Sequence, residues 1–285
     1  MMDMSEKYPS GYSVPSSFAQ VGTIAKYTLL DYVRSRRFLI ILSIAMLISA
    51  TLTFVVGHYR PVLFLSSALS FYSGWWGNIA TYVIVLSGIF FGGDAISGEF
   101  QNRTGYYSVP NPIKRSSIYI GKWLSALVAS TIVLAAFAAI TVGNGMYYFS
   151  TVPLEFWLSV AFSWVYLVSV LGFTFLFSSF FKSSSMAILV TAILFLFAFN
   201  IVQAFVSSYA QVEPWFMLTY GAQIIGNVLS SPYPPHVQTI SLGPQGGITF
   251  TSFSAPILEG LVIMLAYFAV TATLGLLLFE RKEFN

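Results

Sequence analysis

Apolar residues run almost without interruption through six stretches of the chain, roughly Phe38–Val56, Trp76–Phe91, Trp123–Tyr147, Trp157–Phe181, Met186–Val206 and Leu258–Phe279. Each is built from Leu, Ile, Val, Ala and Phe, with scattered Ser, Thr and Gly. A helix needs about 20 such residues to cross the hydrocarbon core of a bilayer. The pattern therefore predicts an all-α integral membrane protein with six transmembrane helices. The second stretch is short and begins at a Trp-Trp pair, which predicts an interfacial anchor. Short connections after the third and fourth stretches predict that helices three, four and five form an up-down group.

The polar positions divide the rest. Residues 1–37 form an N-terminal segment in which Ser16–Arg37 places Val21, Ile24, Tyr27 and Tyr32 at helical spacing. That spacing predicts an amphipathic helix in the membrane interface, N-capped by Ser16 or Ser17. The first 35 residues are polar and mixed, and are not expected to act as a cleaved signal. Gly57–Trp75 is mostly apolar, so Val62–Phe71 is expected to lie along the outer membrane surface. The segment 207–256 carries Glu213 as its only formal charge. Within it, Trp215–Leu229 predicts an interfacial or re-entrant helix packed against protein, and Ser231–Gly247 an ordered cap or loop. A tail over 280–285 follows the transmembrane domain, 38–279.

Composition narrows the class. Only 8% of the 285 residues are charged, against about 25% in soluble domains. That excludes a soluble globule and a disordered chain. A net charge of +3 without a long basic run argues against nucleic-acid binding. The absence of cysteine excludes disulfides and thiolate metal sites. Lys7, Lys26, Arg34, Arg36, Arg37, Arg103, Lys114, Arg115, Lys122, Lys182, Arg281 and Lys282 fall on one side of the predicted membrane, and Arg60 alone on the other. Both termini are therefore expected to be cytoplasmic, in a multi-pass protein of the plasma membrane.

Candidate chemistry is sparse. There is no phosphate-binding loop, because Gly121-Lys122 lacks the preceding glycine and is followed by Trp123. His58 and His236 are too few to predict a metal centre and are expected to be plain surface or interface residues. The predicted spans contain no ionisable residue in their interiors, where an ion-coupled carrier or pump would place one. Glu259, at the outer edge of the sixth, is expected to face a loop. Asn144, Asn200 and Gln203 are expected to hydrogen-bond between helices. An ion-coupled carrier or channel stands as the alternative to the reading that follows.

The most informative region is the loop 92–122, GGDAISGEFQNRTGYYSVPNPIKRSSIYIGK. Asp94–Gln101 can continue the second helix, Pro110 and Pro112 reverse the chain, and Ile113–Ile120 is expected to form a second short helix. The pattern resembles the permease subunits of ABC-2 type transporters. The likeness lies in Asp94, Ser97, Gly98 and Glu99 (D-x-x-S-G-E), in Pro112, Ile113 and Arg115 (P-I-x-R), and in Gly121-Lys122. Arg103 stands where the family's E-N-G-T, ending here at Thr104, carries glycine.

The resemblance implies six spans with both termini inside and a coupling helix that docks on a separate ABC ATPase. It implies that Glu99 and its neighbours face that ATPase, while Arg115 and Lys122 brace the fold. ATP and Mg would be bound by the ATPase and no cofactor by this chain, which would work beside a second permease, itself or a related chain. In exporters of the family the second and fifth spans line the substrate path. That implies Phe195, Phe199, Asn200 and Gln203 as substrate contacts and export as the direction, while an uncharged aromatic path suits a hydrophobic or amphipathic cargo.

Overall fold

A computed structural model describes residues 16–101, 113–242 and 248–282. In chain order its elements are α1 (Ser17–Arg34), α2 (Arg36–Tyr59), α3 (Val62–Leu65), α4 (Ala68–Gln101), α5 (Arg115–Phe149), α6 (Leu154–Phe180) and α7 (Ser184–Ala210). Two short helices, α8 (Leu218–Ala222) and α9 (Ile224–Asn227), then lead to the strands β1 (Val237–Leu242) and β2 (Ile248–Phe253) and to α10 (Ile257–Arg281). Six of these helices, α2, α4, α5, α6, α7 and α10, are long and apolar enough to cross a membrane. The six-span helical fold expected from the sequence is the one observed. One element goes beyond it: β1 and β2 pair antiparallel, from Val237 opposite Phe253 to Leu242 opposite Ile248.

The second span departs most from expectation. It is 34 residues long, not short. Ser67 starts it by accepting from the Ser70 amide at 3.1 Å, an N-cap. A π turn at Ser73–Gly77 then rotates Trp75 and Trp76 into the protein, where both are 0% exposed. Trp76 stacks on Phe137 of α5 at 5.5 Å and meets Phe156 of α6 edge-on at 5.3 Å. The tryptophans fill a gap between helices and are not interfacial anchors. Phe71 is likewise buried, so Val62–Phe71 does not lie on the surface as one strip; within it Val62 is exposed.

Small residues set the central packing. A Cβ added at Gly88 of α4 would stand 2.5 Å from Val170 Cγ1 of α6. Gly275 of α10 lies against the α6 backbone, where a Cβ would stand 3.1 Å from Leu176 Cα. Ser169 ties the same helices by donating to the Met264 carbonyl at 2.7 Å. These close approaches let α6 pack chiefly on α10 and α4, as small residues do in membrane bundles. The expected α5–α6–α7 group is therefore not the organising unit. The most apolar stretches of α4 and α6 are 67% and 61% buried, but that of α7 only 17%, which leaves one side of α7 for lipid or another subunit.

Helix α1 forms with Ser16 as its N-cap. It packs along α5, where Ser125 donates to the Ala25 carbonyl at 2.8 Å. Ser35 both ends α1 and starts α2, donating to the Tyr32 carbonyl at 2.6 Å and accepting from the Phe38 amide at 3.2 Å. The two helices are thus held at a fixed corner.

Candidate functional site

Helices α6 and α10 end, and α5 and α7 begin, at the same end of the bundle as the last turns of α4. Five helix termini, each with its own set of end groups outside the helical ladder, meet there. After Gly92 the α4 helix loosens into a turn over 93–96 and re-forms at Ser97–Gln101. Ser178 of α6 holds that turn, accepting from the amides of Ile96 at 2.9 Å and Ser97 at 3.0 Å. Gln101 caps the start of α7 by accepting from the Ser184 amide at 2.8 Å.

The charged side chains close this layer. Lys122 of α5 donates to the Ala95 carbonyl at 2.9 Å and pairs with the Glu99 carboxylate. Arg37 of α2 pairs with Asp94. Arg115 donates to the carbonyls of Glu280 at 2.9 Å and Lys282 at 2.8 Å. Lys282 in turn donates to Ser179 and Phe181, each at 2.9 Å, and to Phe180 at 3.3 Å. A cation at a helix C-terminus is favoured by the exposed carbonyls and the helix dipole. Burial, with the nearby Lys182 adding to it, nevertheless pulls the Lys282 ammonium down to about 8. The outcome is a set of ion pairs and caps linking α2, α4, α5, α6, α7 and α10.

Folding thus brings Asp94, Ser97, Glu99, Arg115 and Lys122 into one layer. Gly98 sits beside Ser184, where a Cβ would stand 3.7 Å from its Oγ. Gly121 is placed differently: it is the crossing point of α1, where a Cβ would stand 2.8 Å from Ile24 Cγ2. Thr104 and Pro112 lie outside the described residues. The separate short helix expected over Ile113–Ile120 is not formed; α5 starts at Arg115 and runs unbroken to Phe149. No residue from Ser116 onward interrupts it, and Gly121 is covered by α1. Sequence reasoning missed Arg37, Gln101, Ser178 and Lys282. Their partners are too distant in the chain for any spacing to reveal, although a lysine directly after an apolar span is a C-cap signal.

Toward the opposite end, a cavity of about 490 Å³ opens between α4, α6, α7, the α8–α9 segment and β2. Phe195, Asn200 and Gln203 line it. Phe199 packs behind, 5.2 Å from the Phe195 ring and 5.6 Å from Phe173. Gln203 bonds between helices as expected, whereas Asn200 and Asn144 bond within their own. Asn200 donates to the Phe195 carbonyl at 3.1 Å within the π turn Leu194–Ala198, and Asn144 to the Ile140 carbonyl at 3.0 Å. Gln203 instead accepts from Thr219 of α8 at 2.6 Å. The walls mix aromatic rings (Tyr82, Tyr166, Phe195, Phe253) with amides and hydroxyls and carry no formal charge. His236 is brought beside Glu213 and Glu259 at this end of the molecule.

A sequence model of the family described as ABC-2 family transporter protein matches residues 22–284. No curated protein matches the chain.

Proposed function

Since the chain belongs to the ABC-2 transporter family, and is therefore a membrane transport subunit that is not itself catalytic, we propose that it is the permease of an ATP-driven exporter. It works with a second permease and with ATPase subunits that dock on the face carrying α1 and the end of α10. Both termini are cytoplasmic, in the plasma membrane. The cargo is hydrophobic or amphipathic, and passes beside α4 and α7.

The observation that carries this reading is the layer around Glu99 and Lys122. Push the end of α4, and Ser178, Gln101 and Lys122 pass the force to α6, α7 and α5 together. A docking ATPase needs such a connection, because closure of its subunits must move several spans at once. The uncharged, aromatic-walled cavity supports the cargo class, since a small ion would need fixed charge or ordered carbonyls. The alternative ion-coupled reading gains no support from buried ionisable groups in the middle of the spans.

The test is co-purification with any ABC ATPase encoded beside this chain, followed by ATPase assays in nanodiscs. Wild-type permease should stimulate hydrolysis, and Glu99→Ala should weaken the stimulation severalfold while the complex still inserts. Equal stimulation by both, or no ATPase partner, would sink the proposal.

A further inference from the structure

Three ligand-type side chains meet at the end opposite the Glu99–Lys122 layer. Glu213 follows α7, His236 precedes β1, and Glu259 sits in the first turn of α10. One ligand atom from each lies within 4.8 Å of the other two. His236 Nε2 stands 3.4 Å from Glu213 Oε2. The remaining heteroatoms of both residues are engaged outward. The Tyr220 hydroxyl donates to Glu213 Oε1 at 2.6 Å. His236 Nδ1 is 3.1 Å from the Ser254 carbonyl oxygen.

That last contact decides the chemistry. A carbonyl oxygen can only accept, so Nδ1 carries a proton. In the neutral ring Nε2 is then a lone pair aimed at a carboxylate lone pair. Two acceptors facing each other are reconciled by a proton or a metal ion between them, and Glu259 adds a second carboxylate to the same gap. One proton neutralises less of that charge than a divalent ion does. A histidine held through Nδ1–H by a backbone carbonyl, with Nε2 free, is the usual posture of a metal ligand. Zinc at about 2.0–2.2 Å from each nitrogen or oxygen holds tetrahedral neighbours roughly 3.3–3.6 Å apart. The observed 3.4 Å between Nε2 and Oε2 meets that spacing.

We propose that Glu213, His236 and Glu259 form a site for a divalent transition metal of the zinc class, with water completing the coordination. Calcium is a poorer fit, because it takes 6–8 oxygens and this site offers an imidazole and two carboxylates. The ligands come from three separate chain segments. A bound ion therefore ties the β1–β2 hairpin and the segment after α7 to the start of α10. Ser252, Phe253 and Ser254, next to this tie, form one wall of the cavity. The ion would hold that wall in place, whatever the cargo and the energy source.

The experiment uses the purified full chain, stripped of metal and dialysed against Zn2+, with elemental analysis of the retained ion. Co2+ is used in parallel, and its visible absorption reports tetrahedral coordination. Wild type should retain one Zn2+ per chain and unfold at higher temperature as Zn2+ rises, since ligand binding stabilises the folded state. His236→Ala and Glu259→Gln should each weaken binding by at least roughly tenfold, with size-exclusion profiles unchanged, and His58→Ala should bind as wild type does. Failure of the wild type to take up Zn2+, or equal retention by His236→Ala, would overturn the site and leave the proposed transport function untouched.

Discussion

The Lys122 ammonium, in the second turn of α5, pairs with the Glu99 carboxylate at the end of α4, and their side chains are only 15% and 20% exposed. Removing one partner leaves the other charge largely buried and unpaired, which costs several kcal/mol in fully buried pairs. Lys122→Met should therefore destabilise the protein by about 2–3 kcal/mol. The double variant Glu99→Gln, Lys122→Met should be more stable than Lys122→Met alone. Thermal unfolding in one detergent checks the sign. Additive losses would show that the two groups do not interact.

Gly121 serves the docking of α1. A Cβ there meets Ile24 Cγ2 at 2.8 Å and the Val21 carbonyl at 3.1 Å. Overpacking of this kind costs about 1–3 kcal/mol. Gly121→Val should loosen α1, seen as faster amide exchange over Ser17–Arg34 with little change in α6. Ile24→Ala in the same background should restore much of the protection.

Lys282 links stability to pH. Its amine sits lower in the folded protein, at about 8, than its ordinary 10.5. Between those values the unfolded chain binds more protons than the folded one, so stability rises with pH. The thermal midpoint of wild type should therefore gain more from pH 8 to 10.5 than that of Lys282→Met. Parallel pH curves for the two proteins would refute this assignment.

Gln203 accepts from the Thr219 hydroxyl at 2.6 Å and so fastens α8 to α7 at the cavity. Gln203→Leu removes the acceptor, at a cost of about 1 kcal/mol. Amide exchange over Leu218–Asn227 should accelerate, while α4 and α6 stay protected. Gln203→Glu keeps an acceptor and should protect better than leucine does.

The spans were legible because a run of uncharged apolar residues has one stable outcome in lipid, a helix. Their ends were less so. Ser67 and the π turn Ser73–Gly77 extend α4 by folding Trp75 and Trp76 into a pocket that other helices create. Amphipathic spacing showed α1, but not that it docks on α5 through Gly121. At the site, Glu99 and Lys122 were found from local motif, whereas Ser178 reaches Ser97 across 81 positions. The cluster of Glu213, His236 and Glu259 is hidden for the same reason: neither its spacing nor its composition marks it, and the sequence around the hairpin that follows His236 predicts only a cap or loop.

The proposed docking of an ATPase at the α1 face is tested most directly by single-cysteine cross-linking, which the absence of native cysteine makes clean. Lys114→Cys places a thiol on an exposed side chain just before α5, and Ser150→Cys places one at the far end of the same helix. Each variant is co-expressed with the ABC ATPase that co-purifies with wild type and treated with a short bifunctional reagent. The expected result is a permease–ATPase product from Lys114→Cys and none from Ser150→Cys. A product from Ser150→Cys alone, or from neither variant in a complex that co-purifies, would contradict docking at this face.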